Sequence, residues 1–269
     1  MSIHYAVNLS ILFGEAAFLE RFSLAAAAGF TAVEFWFPYE YPIERLSAEL
    51  RRSDLQLVLF NLKPGNFAAG DRGLLCDPDR REEFRSAVTD ALTIASRLDC
   101  ARINTMIGRI RPDLPREAQR ACLVENLKWA APRARDAGVT LLIEPLNDYD
   151  NPGYFLTTSR EGYAILKDVA ESNLKLQFDL YHLQITEGDL SRNFLGHLAD
   201  IGHVQIADVP GRHEPGTGEI NYAHVLRLIE NSGYRGFVSL EYKPLRSTEE
   251  SLIWLPREAR GTPTTFQRS

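Results

Sequence analysis

The chain alternates short apolar runs with longer amphipathic segments, and this alternation constrains its fold more than any other feature. Eight apolar runs have the length and composition of buried strands: Tyr5 to Leu9, Ala32 to Phe35, Leu55 to Leu62, Ala101 to Thr105, Thr140 to Glu144, Leu174 to Asp179, His203 to Ala207 and Phe237 to Glu241. Eight segments with helical periodicity lie between or after them: Phe18 to Ala28, Ile43 to Ser53, Glu82 to Leu98, Arg116 to Ala137, Ser159 to Glu171, Leu190 to Leu198, Tyr222 to Ser232 and Glu249 to Leu255. Eight strand-helix repeats predict a single-domain (β/α)₈ TIM barrel over residues 1–255. A doubly wound sheet would need a glycine-rich turn after the first strand, which this chain lacks.

The composition is that of a globular protein with a large core. The chain has 269 residues, of which 45% are hydrophobic and 25% charged. Its formal net charge of −6 argues against a nucleic-acid partner, because binding to phosphates needs a basic surface. No apolar run reaches the roughly 18 residues of a membrane span, so we expect a cytoplasmic protein with no membrane partner. The three cysteines, Cys76, Cys100 and Cys122, have no metal-type spacing and are expected to be free buried thiols.

Two segments fall outside the regular alternation. The irregular segment from Lys63 to Arg81 follows the third strand and is a candidate lid, because loops after barrel strands form the active face. A tolerated surface insertion is the equally weighted alternative. Residues 256–269 are rich in Arg, Thr and Pro, and we expect them to form a loosely ordered tail.

Four polar residues lie at or near the ends of the last four predicted strands. They are Glu144, Asp179, Gln205 and Glu241, and each follows a run of aliphatic or aromatic neighbours. Parallel barrel strands deliver such residues to one end. Burying a carboxylate among apolar side chains is costly unless a cation or hydrogen bonds compensate it. Taken singly, each is more often a cap or an ion-pair partner; together they predict a site for a hard divalent cation, Mg²⁺ or Mn²⁺.

Seven short segments together resemble one family. They are Asn8 to Ser10 with Phe13 to Glu15, Val33 to Tyr39, Ile143 to Asn147, Phe178 to His182, His203 to Asp208, Glu214 to Tyr222, and Glu241 to Pro244. In combination they closely resemble the hydroxypyruvate isomerase branch of the xylose-isomerase-like TIM barrels, over nearly the whole chain. That superfamily also contains 2-oxo-tetronate isomerases and ketose 3-epimerases.

The resemblance implies an isomerase. It implies the reversible conversion of hydroxypyruvate to tartronate semialdehyde, with Glu144 and Glu241 as acid/base residues that also touch the metal. It gives Gln205 as the ligand at the position where many sugar epimerases of the superfamily carry His. Moving a carbonyl to the neighbouring carbon requires proton transfer through an enediolate, which a cation stabilises. Two carboxylates on strands five and eight could exchange the roles of base and acid. A 2-oxo-tetronate isomerase or a ketose 3-epimerase is the alternative, since pocket size decides among them.

Charge counting predicts a cation beside the substrate. Three carboxylates and one divalent ion leave the site near −1, so an anionic hydroxy-keto acid needs a compensating positive charge. Lys243 would point to the same side as Glu241 if the last strand continues past it. Arg212, Lys63 and Arg109, in loops after strands seven, three and four, are the rivals, and a solvated surface charge is the alternative for each.

Two further polar residues are candidate substrate contacts. His182, three residues past Asp179, could donate a hydrogen bond to a substrate oxygen or orient the metal ligands, and the resemblance to related epimerases supports a substrate contact. Asp150 could contact a terminal substrate hydroxyl or cap the loop before the fifth helix.

Two other classes of function fit less well. A DNA-repair endonuclease of this superfamily would need many His ligands and a basic groove, whereas this chain has six scattered histidines and a net negative charge. A silent ligand-binding barrel would be expected to lose one of the carboxylates. By resemblance we expect a homodimer or higher homo-oligomer.

Overall fold

The eight strands form one closed parallel barrel in the computed structural model, which describes residues 2–261. They are β1 (His4–Asn8), β2 (Ala32–Phe35), β3 (Gln56–Asn61), β4 (Arg102–Asn104), β5 (Thr140–Ile143), β6 (Leu174–Asp179), β7 (Ile201–Ile206) and β8 (Phe237–Leu240). Each strand pairs in parallel with the next, and β8 closes the barrel on β1. The predicted (β/α)₈ single-domain fold is therefore confirmed.

Nine α-helices lie between or after the strands within the described residues. They are α1 (Arg21–Ala27), α2 (Ile43–Arg52), α3 (Arg81–Leu98), α4 (Arg116–Asp136), α5 (Ser159–Val169), α6 (Leu180–Thr186), α7 (Leu190–Gly196), α8 (Tyr222–Asn231) and α9 (Thr248–Ser251). Local sequence sets several of their starts. The Thr158 side chain accepts from the Glu161 backbone at the start of α5, and Asn221 accepts from the His224 backbone at the start of α8.

The observed helices differ from the predicted ones in two places. Helix α6, which begins directly after β6, was not predicted, because it has seven residues and its first four are all buried, so it shows no amphipathic period. The predicted helix from Glu249 to Leu255 is wrong beyond Ser251, where the chain continues as a turn.

The barrel interior has an apolar lower layer and a polar upper layer. Side chains of a strand alternate between its two faces. Ala32 therefore faces the same way as Glu34, Leu142 as Glu144, and Phe237 as Glu241. Ala32, Leu142 and Phe237 belong to one buried apolar cluster. The polar residues above them thus rest on a packed floor at the carboxyl ends of the strands.

The remaining predictions about organisation have mixed outcomes. All three cysteines are free and buried, as expected. Residues 2–261 contain no helix long and apolar enough to cross a membrane. Of the predicted tail, Arg257–Ala259 forms a 3₁₀ turn and Arg260 donates to the carbonyls of Leu252 and Leu255. Residues 262–269 of that tail lie outside the described residues.

Candidate active site

The four residues predicted as metal ligands lie at the carboxyl ends of four consecutive strands. Glu144 directly follows β5, Asp179 ends β6, Gln205 lies near the end of β7, and Glu241 directly follows β8. Their exposed fractions are 7%, 1%, 1% and 4% in that order. Asp179 and Gln205 are paired in register across β6 and β7. The strands therefore deliver all four side chains to the buried end of one barrel.

Arg212 reaches the same place from the loop between β7 and α8. Its Nη2 contacts the carboxylate of Glu241 and lies 3.7 Å from Asp179 Oδ2. Its backbone has a φ of 56°, a left-handed conformation that L-residues adopt at a cost of roughly 1–2 kcal/mol. Two hydrogen bonds hold this backbone: its N–H donates to Asp208 over 2.9 Å, and its carbonyl accepts from Lys243 over 2.7 Å. The loop thus fixes a guanidinium between two buried carboxylates.

Glu34 lies beneath these residues and was not predicted as part of the site. It is on β2 and its exposed fraction is 0%. Its Oε1 accepts from Asn8 Nδ2 over 2.9 Å and from Gln205 Nε2 over 2.7 Å, and its Oε2 lies 2.7 Å from His203 Nε2. The same Asn8 amide donates to Glu241 Oε1 over 3.0 Å. One buried carboxylate therefore fixes the orientation of Gln205 and, through Asn8, supports Glu241.

The buried carboxylates differ in how the protein shifts their pKa. Burial raises the pKa of Glu144 well above its ordinary value, and the charges of Glu241 and Asp179 add to this. Burial also raises the pKa of Asp179, and it raises the pKa of Glu241 to about 7, although Arg212 opposes both effects. Burial acts to raise the pKa of Glu34, but the interaction with His203 and the hydrogen bond from Gln205 together lower it below its ordinary value. Carboxyl groups with raised pKa values around one cavity are typical of acid/base or metal sites.

His182 presents a hydrogen-bond donor to the site. Burial lowers its pKa well below the ordinary value, and the charge of Arg212 adds to this, so the imidazole is neutral at physiological pH. The backbone N–H of Asn147 donates to its Nδ1 over 3.1 Å. A neutral imidazole has one acceptor nitrogen, so the proton is on Nε2. That Nε2 lies 3.6 Å from Asp179 Oδ2.

The donor set fits a divalent cation. Single ligand atoms of Glu144, Asp179 and His182 all lie within 4.8 Å of one another. Asp179 Oδ1 accepts from the Tyr181 N–H over 2.8 Å, whereas Oδ2 is buried with no hydrogen-bond partner among residues 2–261. An unmatched buried carboxylate oxygen is costly unless a cation meets it. Because His182 carries its proton on Nε2, the two carboxylates are the members of this group that could hold a hard cation, which prefers oxygen ligands.

A cavity of about 100 Å³ opens above the buried carboxylates. Four predicted residues line it: Glu144, His182, Arg212 and Glu241. The segment predicted as a lid adds Phe67 and Arg72 to its wall.

The other predicted residues lie elsewhere. Lys243 was expected to face the site only if the last strand continued past it, but β8 ends at Leu240. The Lys243 side chain is exposed and does not line the cavity. Lys63 and Arg109 are also exposed and do not line the cavity. Asp150 accepts from Tyr181 Oη over 2.8 Å and from Asn147 Nδ2 over 3.1 Å, so it braces the loop that holds His182.

Three site residues escaped the sequence analysis. Glu34 follows the apolar pair Ala32 and Val33, so the rule used for the last four strands would have found it. Trp36 donates from Nε1 to Glu241 Oε1 over 2.8 Å. The only sequence signal for this contact is that Trp36 lies two residues after Glu34. No periodic signal marked Arg72, which is in an irregular loop.

Known proteins resemble this chain over most of its length. A family model described as a xylose isomerase-like TIM barrel matches residues 22–258. A hydroxypyruvate isomerase of Escherichia coli (strain K12) is 46% identical over 253 residues, which are 94% of this chain and 98% of that protein. A 2-oxo-tetronate isomerase of Cupriavidus necator is 47% identical over 251 residues, 93% of this chain and 96% of that protein.

Solved structures have the same architecture. A protein from Brucella melitensis, described as an AP endonuclease of family 2, superposes with a TM-score of 0.91 at 44% identity, covering 94% of this chain and 98% of that one. A D-psicose 3-epimerase from Clostridium cellulolyticum H10 superposes with a TM-score of 0.74 at 23% identity, covering 90% of this chain and 85% of that one, a likeness of fold alone.

Proposed function

The chain belongs to the xylose isomerase-like TIM-barrel family, and on that premise we propose that it is the isomerase that interconverts hydroxypyruvate and 2-hydroxy-3-oxopropanoate (tartronate semialdehyde). The observation that carries this proposal is the pair Glu144 and Glu241, two buried carboxyl groups that line one small cavity. The named activity of the Escherichia coli relative supports the choice of substrate.

The reaction moves a carbonyl from C2 to C3 of a three-carbon acid. One carboxylate removes a proton from C3, and the electron pair of the broken C–H bond forms a C2–C3 double bond, which leaves an enediolate. The other carboxyl group then delivers a proton to C2. The C3 hydroxyl loses its proton as its oxygen becomes the new carbonyl, and the C2 oxygen gains one. Acid/base groups with pKa values near the working pH perform such transfers best.

Two neighbouring side chains orient the substrate in this proposal. His182 donates from Nε2 to a substrate oxygen, since its proton faces the site. Arg212 stabilises the negative charge that develops on the enediolate, and its contact with Glu241 holds that carboxylate in place. Both residues line the cavity with Glu144.

The oxygens of Glu144, Asp179, Gln205 and Glu241 would hold a divalent cation, Mg²⁺ or Mn²⁺. When bound, this ion supplies Lewis-acid stabilisation of negative charge on the substrate oxygens, worth several kcal/mol. The unmatched Oδ2 of Asp179 supports its presence.

A 2-oxo-tetronate isomerase is the second candidate. The Cupriavidus necator relative with that activity is as similar to this chain as the hydroxypyruvate isomerase. The same two carboxyl groups would act on a four-carbon acid, with the carbonyl again moving between C2 and C3. A ketose 3-epimerase is supported only at the level of the fold.

The test is turnover by the purified protein after treatment with EDTA and again after addition of Mg²⁺ or Mn²⁺. Hydroxypyruvate, 2-oxo-tetronate, fructose and tagatose are offered separately. We expect metal to restore activity and hydroxypyruvate to have the highest kcat/KM. A higher value for the four-carbon acid or a ketose would reassign the substrate, and no turnover of any of the four would refute the proposal.

The variants Glu144→Gln and Glu241→Gln test the two acid/base assignments. Removal of a positioned proton-transfer group typically costs about 10²- to 10⁴-fold, so each variant should lose at least about 100-fold in kcat. Circular dichroism should show an intact fold, because Gln has nearly the same shape. Near-normal kcat in both variants would contradict the assignment.

We also propose, by analogy with related barrels, a cytoplasmic homodimer or higher homo-oligomer that binds no nucleic acid. The net charge of −6 and the two buried histidines at the site, His182 and His203, do not suit the basic, histidine-rich groove of a zinc endonuclease. Light scattering coupled to size exclusion would measure the oligomeric state; the mass of a monomer would refute that part.

A further inference from the structure

We infer that Arg72, in the segment between β3 and α3, binds the carboxylate of the acid substrate. This inference rests on the proposed function, since it assumes that the substrate is a small hydroxy-keto acid. Arg72 and Arg212 are both arginines that line the cavity. The cations suggested by the sequence at positions 63, 109 and 243 are exposed and lie outside its wall.

The charge of Arg212 already interacts with carboxyl groups of the protein. Its Nη2 contacts Glu241 and lies 3.7 Å from Asp179, so its single positive charge faces two carboxyl groups. Glu144 adds a third carboxyl group to the same site. An anionic substrate entering this cavity therefore meets no net positive charge from Arg212, and it needs a second cation.

Arg72 has the free charge that Arg212 lacks. Its Nη1 donates to the backbone carbonyls of Phe67, over 3.2 Å, and Asp71, over 2.8 Å. No carboxylate within residues 2–261 forms an ion pair with it, because the Asp71 carboxylate accepts instead from Arg80 over 2.7 Å and from the Asn66 N–H over 2.7 Å. Its Nε and Nη2 have no hydrogen-bond partner in that part of the chain. They form one edge of the guanidinium, the geometry that binds a carboxylate through two parallel hydrogen bonds.

The guanidinium is also held in place. Its central carbon lies 4.0 Å from the centre of the Phe67 ring, which is part of the same cavity wall. The next residue, Gly73, has a φ of 127°, and a Cβ there would lie 2.0 Å from the Met106 carbonyl oxygen. Gly73 is also bridged to Ile107 in the loop after β4. Arg72 is therefore half-buried on a fixed backbone.

The two ends of the cavity then have different tasks. The carboxyl groups and Arg212 at the strand ends act on the carbons that exchange the carbonyl. Arg72, on the loop wall, holds the unreactive carboxylate. This arrangement would make the site selective for acids over neutral compounds of the same length, such as dihydroxyacetone, in which a hydroxymethyl group replaces the carboxylate.

The experiment compares Arg72→Gln with the matched control Arg109→Gln, which removes a neighbouring but exposed arginine outside the cavity wall. Binding of glycerate, an unreactive three-carbon acid, is measured by calorimetry on the metal-loaded protein. A charged, bidentate contact is worth on the order of 10- to 100-fold in affinity. We expect Arg72→Gln to lose that factor and Arg109→Gln to change by less than about twofold.

Turnover supplies the second readout. In Arg72→Gln the KM for hydroxypyruvate should rise by a similar factor with little change in kcat, whereas the KM for dihydroxyacetone should stay within about twofold. Arg72→Lys, which keeps the charge but not the fork, should recover part of the glycerate affinity and decides the question if the Gln variant does not fold. Wild-type glycerate affinity in Arg72→Gln, or failure of the wild-type protein to bind glycerate, overturns the inference. Failure of the wild-type protein to isomerise any acid while it binds glycerate through Arg72 overturns the proposed function alone.

Discussion

Replacing Glu34 by Gln should destabilise the protein and weaken metal binding together. The Glu34 carboxylate accepts from three side-chain donors, those of Asn8, His203 and Gln205. A Gln side chain of the same size offers one acceptor oxygen and one donor group. At least one of the three donors would then face another donor inside the barrel.

The structure sets the size of the loss. A hydrogen bond to a charged group contributes about 1.5–3 kcal/mol, and a buried donor left without an acceptor costs about 1–3 kcal/mol. His203 Nδ1 is buried with no partner among the described residues, so a change of tautomer would leave an N–H unsatisfied there. We therefore expect the free energy of unfolding to fall by about 3 kcal/mol. At roughly 2–4 °C per kcal/mol for a protein of this size, Tm should fall by about 6–12 °C.

The unfolding free energy that Glu34→Gln loses should depend on pH. The pKa of Glu34 is lowered in the folded protein, so its carboxylate contributes stability above its ordinary pKa of 4.5. That contribution is lost as the pH falls through the lower, folded-state pKa. The difference in unfolding free energy between the wild-type protein and Glu34→Gln should accordingly be constant near neutral pH and shrink in acid.

Urea unfolding of the metal-free proteins measures the stability, and calorimetry measures Mn²⁺ affinity. An ionised Glu34 accepts only, so it forces the amide nitrogen of Gln205 towards itself. Losing a partner that orients a ligand typically costs about 10- to 100-fold in metal affinity. The control is Glu40→Gln, the same chemical change at an exposed position six residues on, which should be neutral within about 0.5 kcal/mol. The reasoning would be refuted if Glu34→Gln matched this control in both unfolding free energy and Mn²⁺ affinity.

Two further perturbations probe the metal ligands and the Arg72 loop. Burial raises the pKa of Glu241 to about 7 in the metal-free protein, and a ligand carboxylate must be deprotonated to bind a metal. Mn²⁺ affinity should therefore fall about fivefold between pH 7 and pH 6, because the deprotonated fraction of Glu241 falls by that factor. Calorimetry in buffers of different ionisation enthalpy would detect the released proton, and an affinity that does not change with pH would contradict this. Gly73→Ala should cost about 2–4 kcal/mol of unfolding free energy, because its Cβ would meet the Met106 carbonyl. Gly70→Ala is the matched control for the cost of placing alanine at a positive φ, because φ is 103° there and a Cβ meets nothing within 4 Å. If urea unfolding gave the two variants the same loss of unfolding free energy, the argument from the Met106 clash would be wrong.

The fold was predictable because its signal is local. Each strand is an apolar run of a few residues, and the parallel barrel follows from the repetition of strand and helix. The two errors in the predicted helices occur where the local sequence pattern does not match the structure. Helix α6 was missed because its buried first turn has no polar face, and the prediction of a seven-residue helix after Thr248 counted residues that instead form a turn against the barrel.

The site could be predicted only as far as the strands reach. Glu144, Asp179 and Glu241 come together because parallel strands end at the same level, and that level can be counted along the sequence. Glu34 obeys the same rule, yet it supports Gln205 from below. Glu34 has this supporting role because Gln205, on another strand, contacts it across the barrel. The spacing of residues along one strand cannot predict such a contact.

The sequence could not identify which cationic side chain in the loops faces the substrate. Lys63, Arg109 and Lys243 were each reasonable by position, because all follow barrel strands. What distinguishes Arg72 is that Asp71, its neighbour in the sequence, pairs with Arg80, nine residues further on, and leaves the Arg72 charge without a partner in the described part of the chain. Whether a loop arginine is free depends on every carboxylate that the fold brings near it. A charge count over the sequence cannot supply that information, whereas the ion pairs of the folded loop select one candidate that a single substitution can test.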